Sequence, residues 1–313
     1  MEKVILFGPF VGEMYWEAAR FAPILPYFKI KRYPEGKMKY IVLTREDRFD
    51  LYGKFADILV PLKIEGDYKK MFPNCYRLDK YSNVEYMNVV DKFNKKYSER
   101  YKIKQHFYPD IKGKRFLNRR QFSTTQMLFK YSPRDDNYKL IKEYILNKTD
   151  KKIVVLAPRF RGENFNPSSI RRRNWPYWNE FYDMIYNNEF LMNKYFFVIC
   201  GKNGEHVPDK KNRFVDMNMI PLTENSSLIG LLLVILENAY FTCGSQSAIP
   251  NLSLLYGVEA LEFGHQKALH TRSYNLKGTP VTFLESSRYD LKPKILFENL
   301  HKILKKKYKK ETK

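Results

Sequence analysis

Short, continuous apolar runs alternate with amphipathic stretches along most of the chain. KVILFGPF at 3–10 reads as a buried strand closed by Gly8 and Pro9. In the segment that follows, Trp16, Ala19, Phe21 and Ile24 approximate helical spacing, with Glu17 and Arg20 as an exposed pair. KYIVLT at 39–44 and DILVPL at 57–62 are further strands, and their unbroken apolar character favours a parallel sheet covered on both faces. NYKLIKEYILNK at 137–148 is amphipathic. The pattern then restarts: KKIVVLAP is a strand, WPYWNEFYDMIYNN a helix, YFFVICG a strand, SSLIGLLLVILEN a buried helix and AYFTCG a strand. A helix over 247–256 and the strand VEALEFG follow. This βαβαβαβ order implies a parallel sheet with right-handed crossovers. PVTFL at 280–284 adds an edge strand, and 291–310 forms an amphipathic helix with a polybasic end. Two α/β halves with a cleft between them are expected.

Residues 63–150 carry little sustained periodicity before that amphipathic helix. Within them, 91–121 holds eleven Lys or Arg against three acidic residues, with Phe93, Tyr97, Tyr101, Phe107, Tyr108 and Phe116 interleaved. Such a mixture can bind nucleic acid through phosphate contacts and base stacking. A pair of amphipathic helices with aromatics inward and lysines outward accounts for it equally simply, and is the preferred reading.

The 313 residues are 44% hydrophobic, enough to bury a sizeable core, and no part has a disordered composition. The apolar start is too short for a signal peptide, and the run from Leu228 to Leu236 falls well short of the roughly 20 residues that span a bilayer. A soluble cytoplasmic protein is expected. Cys75, Cys200 and Cys243 form neither a disulfide framework nor a zinc motif, and the five histidines are scattered, so no protein-held metal is expected. The net charge of +22 points to a polyanionic partner.

Three markers sit where a strand gives way to a loop or helix: RRRNWPYWNEF at 171–181, FFVICGKNGE at 196–205 and FTCGSQSAIPNLSLLYGVEALEFG at 241–264. Open α/β sheets bind ligands at these strand ends. Gly244, Ser245, Gln246 and Ser247 read as a polar turn opening a helix, where backbone N–H groups and the helix dipole favour a diphosphate. Ser at this position also serves as a plain helix cap.

In order, these markers resemble the carboxy-terminal domain of the heptosyltransferase-like (family nine type) glycosyltransferases, most clearly over 150–265. The resemblance implies a GT-B fold of two Rossmann-like domains with parallel sheets facing across a cleft. It divides the chain into an acceptor domain at 1–148, a donor-binding domain at 149–290 and a basic terminal helix at 291–313. It further implies a nucleotide-sugar as co-substrate and phosphate contacts from Arg171, Arg173 and their neighbour Arg172. Arg forks bond phosphate bidentately, and by position Arg159 and Arg161 are the next candidates. Gly201 and Glu205 match a glycine-rich turn ending in an acidic residue that holds ribose or base. Glu262 and His265 flank Gly264 and are candidates to line the donor site. The family's Asp-Ser-Gly-x-x-His pattern falls on Gln246, Ser247, Ala248, Ile249, Pro250 and Asn251, so only Ser247 is retained. Asn251 offers a hydrogen bond where the family has His.

The same resemblance makes Glu13, after Gly12 in the first loop, the general base, with Glu17 as the fallback. Its place in a helical first turn equally suits plain complementation of the dipole. There is no GxxxxGK[ST], GxGxxG after the first strand, DxD or GxSxG. That excludes a P-loop kinase, a dinucleotide oxidoreductase and a serine hydrolase of that type. The leading expectation is an inverting, metal-independent glycosyltransferase. Its acceptor is a saccharide or a glycolipid at an anionic membrane surface, the enzyme being peripheral there. The alternatives are a DNA glycosyltransferase acting on a hydroxylated base, and a silent transferase scaffold that binds nucleic acid.

Overall fold

A computed structural model describes residues 1–10, 17–32, 36, 38–62, 83–108, 131–159, 175–201, 213–265, 275, 277–286 and 288–312. The chain forms two compact units: Met1–Asp135 with Asn225–Gly230, and Asp136–Glu224 with Leu231–Lys313.

The first unit is built on β1 (Lys3–Phe7), β2 (Lys39–Thr44), β3 (Ile58–Pro61), α1 (Asn83–Ser98) and β4 (Lys102–Phe107). The sheet order is β3-β2-β1-β4 and every pairing is parallel. β1 lies inside, and Val4, Ile5, Leu6 and Phe7 are fully buried, as its unbroken apolar run requires. Gly8 ends it at φ +98°, and a Cβ there would stand 2.1 Å from the Leu43 carbonyl oxygen, so no other residue fits. Helical turns follow over Glu17–Phe21, Ile24–Tyr27 and Phe28–Arg32.

The basic segment at 91–121 differs from expectation. Its first part closes α1, but 102–107 is an edge strand rather than a second helix. Phe93 packs into the core with Val4, Leu6, Ile41 and Leu43, and Tyr97 and Tyr101 pack against the same cluster. Phe107 stacks on Phe7 at 5.1 Å between centroids and packs at a tilt against Phe28 at 4.6 Å. These rings stabilise the unit by apolar burial and edge contacts. Residues 109–121, including Phe116, lie outside the described residues.

Two buried carboxylates fasten this unit. Glu17, expected at the surface beside Arg20, is fully buried. It accepts from Thr44 Oγ1 at 2.5 Å, Tyr52 OH at 2.6 Å and Arg48 at 2.7 Å. The Tyr52 hydroxyl is held in its neutral, donating form, burial and the neighbouring carboxylate both pushing its pKa well up. Asp50, also fully buried, accepts Nε and a terminal nitrogen of Arg134 at 3.0 Å each, the Arg134 backbone N–H at 2.9 Å and the Ser227 hydroxyl at 2.5 Å. Ser227 Oγ in turn accepts from Gly230 N at 2.9 Å. Asp50 thus ties the end of the unit's main stretch and the returning 225–230 stretch to one point.

The second unit contains α2 (Asp135–Tyr144), β5 (Lys152–Ala157), α3 (Trp178–Tyr186), α4 (Glu189–Lys194), β6 (Tyr195–Ile199) and β7 (Val215–Asp216). It continues with α5 (Leu228–Glu237), whose first three residues count with the first unit, then β8 (Ala239–Ser245), α6 (Ala248–Leu255), β9 (Ala260–Gly264), β10 (Val281–Glu285) and α7 (Pro293–Glu311). The sheet order is β10-β9-β8-β5-β6-β7, again with parallel pairings. The strands and helices expected after Lys151 are all present. α4 and β7 are additions, α4 being started by Asn188, whose side chain accepts from Leu191 N at 3.0 Å.

The terminal helix is part of this unit's core. Leu296, Leu300 and Leu304 recur every four residues and are fully buried with Trp175, Trp178, Phe181 and Phe263. The two compact units meet in the sequence at 135/136, and α7 packs within the second of them. Among the described residues no helix is long and apolar enough to cross a membrane.

Asp50→Asn is expected to lower the unfolding free energy by about 3 kcal/mol, because the remaining half-buried Arg134 loses its charge partner. Leu300→Ala is expected to cost about 2–5 kcal/mol through the cavity it leaves. Urea denaturation followed by fluorescence reads both; an unchanged midpoint for Asp50→Asn contradicts the fastening role.

Candidate functional site

Parallel pairing brings the carboxyl ends of β5, β8 and β9 to one edge: Ala157 lies opposite Gly244, Gly244 opposite Glu262, and Ser245 opposite Phe263. Arg159, half-buried, follows β5 directly, and Gly201 follows β6. The Gly201 carbonyl accepts from the Asn218 side chain at 3.0 Å, so its backbone is held from β7's side of the sheet. A Cβ on Gly244 would meet the Ala157 carbonyl oxygen at 2.6 Å, so this strand end closes only with glycine.

Gly244 and Ser245 belong to β8 itself, and the turn expected at 244–247 is reduced to Gln246 and Ser247. Ser247 stands at the N-cap of α6 with extended backbone, and its hydroxyl makes no capping bond. Ala248 and Ile249 supply the first N–H groups of the helix, since Pro250 has none. Asn251 reaches back, its side-chain amide donating to Ser247 O at 2.7 Å. Its Oδ1 is buried with no hydrogen-bond partner among the described residues, and the same holds for Ser245 Oγ. The helix start therefore combines uncapped N–H donors, the dipole's positive end and two side-chain oxygens in search of a donor or water. An anion carrying hydroxyls alongside its charge fits this chemistry.

Gln246 does not face outward. It is 5% exposed, its backbone N–H donates to Phe263 O at 2.8 Å, and its side-chain oxygen accepts from Tyr289 OH at 3.1 Å. A Cβ on Gly264 would stand 2.7 Å from Gln246 Cβ, so the glycine makes the space that Gln246 fills. Tyr289 reaches it from a turn in which its own φ is +54°, a costly conformation held by Ser286 and Asp290. Tyr289 was not recognisable from sequence as part of this edge. Only its distance from Gln246 in space, 43 residues on in the chain, reveals it.

Glu262 lies within β9 and is fully buried, so it has no surface at this edge. His265 follows Gly264, its Nδ1 buried with no partner among the described residues. Trp175 and Trp178 of the first marker are core residues; Trp175 Nε1 donates to Leu291 O at 2.7 Å. They anchor the chain immediately after the arginine run. Arg161, Arg171, Arg173, Glu205 and Glu13 lie outside the described residues. Glu17 has both carboxylate oxygens engaged inside the first unit, the arrangement of an internal anchor.

Many solved structures match, several of them over almost the whole chain. A glycosyl transferase family 9 protein from Veillonella parvula is 10% identical, with a TM-score of 0.57 over 97% of this chain and 98% of that one. An E. coli ADP-heptose lps heptosyltransferase II is 11% identical, with a TM-score of 0.55 over 98% and 100%. The fold is GT-B. The E. coli heptosyltransferase WaaC, solved with ADP, also matches, at 10% identity and a TM-score of 0.50 over 96% and 99%. Compared by sequence, the chain matches no family model and no curated protein.

In this GT-B chain the two cysteines nearest the strand ends are not nucleophiles. Cys200 and Cys243 are fully buried, and burial pushes both thiols far above their usual pKa. Native protein treated with a thiol reagent at neutral pH is expected to leave both unmodified until denaturant is added, as read by peptide mapping. Tyr289→Phe is expected to cost about 0.5–1.5 kcal/mol by stripping Gln246 of a buried donor. A thermal melt unchanged by this substitution contradicts the strut described above.

Proposed function

We propose that the protein is a glycosyltransferase that moves a sugar from a nucleotide-sugar donor to an acceptor hydroxyl, with inversion and without a metal. The observation that carries this reading is the uncapped start of α6 at the carboxyl edge of the second sheet, in a GT-B chain. There Ser247 leaves the first N–H groups to a ligand, with Arg159 on the adjoining strand end.

The donor diphosphate binds these N–H groups and Arg159, with Arg161, Arg171 and Arg173 adding bidentate contacts. Such fixed cationic and dipolar groups stabilise the departing diphosphate as its charge develops, the role a metal plays in other transferases. Asn251 hydrogen-bonds a donor hydroxyl, and Glu205 and His265 hold the nucleoside. Glu13 removes the proton from the acceptor hydroxyl as that oxygen attacks the anomeric carbon and the diphosphate leaves with the bonding electrons. The acceptor is a saccharide or glycolipid, met by a peripheral enzyme. Of the aromatics behind the DNA reading, Phe93 is buried in the core.

A thermal-shift screen of nucleotide-sugars identifies the donor, since a ligand at 100 times its Kd adds about 2.7 kcal/mol to stability. Turnover of that donor is expected to persist in EDTA and to fall about 10²–10⁴-fold in Glu13→Gln with the thermal shift retained. Proton NMR of the product's anomeric centre reads inversion. Absence of stabilisation by any nucleotide-sugar sinks the reading.

A further inference from the structure

The second unit carries one concentrated charged face that neither the fold nor the donor reading uses. Lys302, Lys305, Lys306, Lys309 and Lys310 of α7 follow the spacing i, i+3, i+4, i+7, i+8, which sets them on one side of the helix. All five are exposed, and together they line a single shallow depression. The opposite side is the leucine row buried in the core, so the helix cannot rotate to hide this face.

Neighbouring lysines are neutralised. Lys307 pairs with Glu259 at 2.6 Å, Lys294 with Glu298 at 3.9 Å, and Lys152 with Glu311. None of the five has an acidic partner among the described residues. His301 registers the resulting field: its pKa lies below the usual value, first through burial and then through Lys305. Packing like charges together without counter-charges is unfavourable in the free protein, and a polyanion offsets it.

We propose that this face of α7 docks on the phosphate headgroups of an anionic phospholipid bilayer. The five ammonium groups span about 12 Å of a straight helix. Lysine ammoniums are mobile point charges that suit a fluid array of headgroups, whereas arginine forks mark fixed phosphate geometry, and this face has no arginine. Base stacking has no platform on it. Tyr308, the aromatic residue of the same turns, packs edge-on to Phe190 and lies under Lys194 at 5.1 Å. The inference deepens the glycolipid reading of the acceptor and rests on it only for its purpose, because vesicle binding is measured without sugar transfer.

The full chain is sedimented with phosphatidylcholine vesicles with and without phosphatidylglycerol. Binding is expected only to the anionic vesicles, and is lost as salt shortens the Debye length from about 10 Å to about 3 Å. The variant Lys305→Glu/Lys306→Glu/Lys309→Glu is expected to lower the partition coefficient at least about tenfold. Its melting temperature and its stabilisation by the donor are expected to match the parent, which separates docking from folding and from the transferase reading. Lys92→Glu/Lys95→Glu/Lys96→Glu, the same charge change on exposed positions of α1, is expected to leave binding within about twofold. Equal loss in both variants assigns binding to net charge and overturns the proposal. So does binding of the parent to duplex DNA but not to anionic vesicles.

Discussion

Parallel strand pairing is the constraint from which the rest follows. Every pairing among the described strands, in both sheets, is parallel. A parallel strand cannot be reached by a tight turn, so each is followed by a crossover, and the crossovers cover both faces. That covering gives β1, β2, β5 and β6 their unbroken apolar runs. Within the second sheet it also sends each carboxyl end to one edge, where α6 begins. Two glycines meet the crowding this creates in the second unit: Gly244 beside Ala157, and Gly264 beside Gln246.

The same constraint decides what could be read in advance. Continuous runs such as KIVVLA and YFFVI are visible because both of their faces are buried. β4 was not visible: KIKQHF alternates, as an edge strand with one open side does, and it sits among charges that suggested a helix. β7, at two residues, is too short to leave a pattern. The extent of the first compact unit was hidden for another reason. Asp50 binds Arg134 and Ser227 across gaps of 84 and 177 residues, which no local window detects.

At the site, chain order located the helix start after β8 because that position depends on local grammar alone. Side-chain direction did not follow from the same grammar. Gln246 looked like a ligand in the sequence, yet a tyrosine from a distant turn draws it inward, and the neighbouring glycine leaves it room. Glu17 was read as exposed on helical spacing, but Thr44, Arg48 and Tyr52 converge on it from the next strand and loop. Polar residues at strand ends can be located by sequence, whereas their partners decide whether they are structure or chemistry.

The return of residues 225–230 to the first unit has a consequence for how this chain is made. Domains commonly fold one after another as they leave the ribosome, the amino-terminal one first. Here Ser227, one of the residues that satisfies Asp50, is synthesised only after β5, β6 and β7 of the second unit have emerged. The nascent first unit therefore carries a buried acid without its full set of donors while much of its neighbour is already outside. Completion of the earlier unit waits on residues synthesised after three strands of the later one.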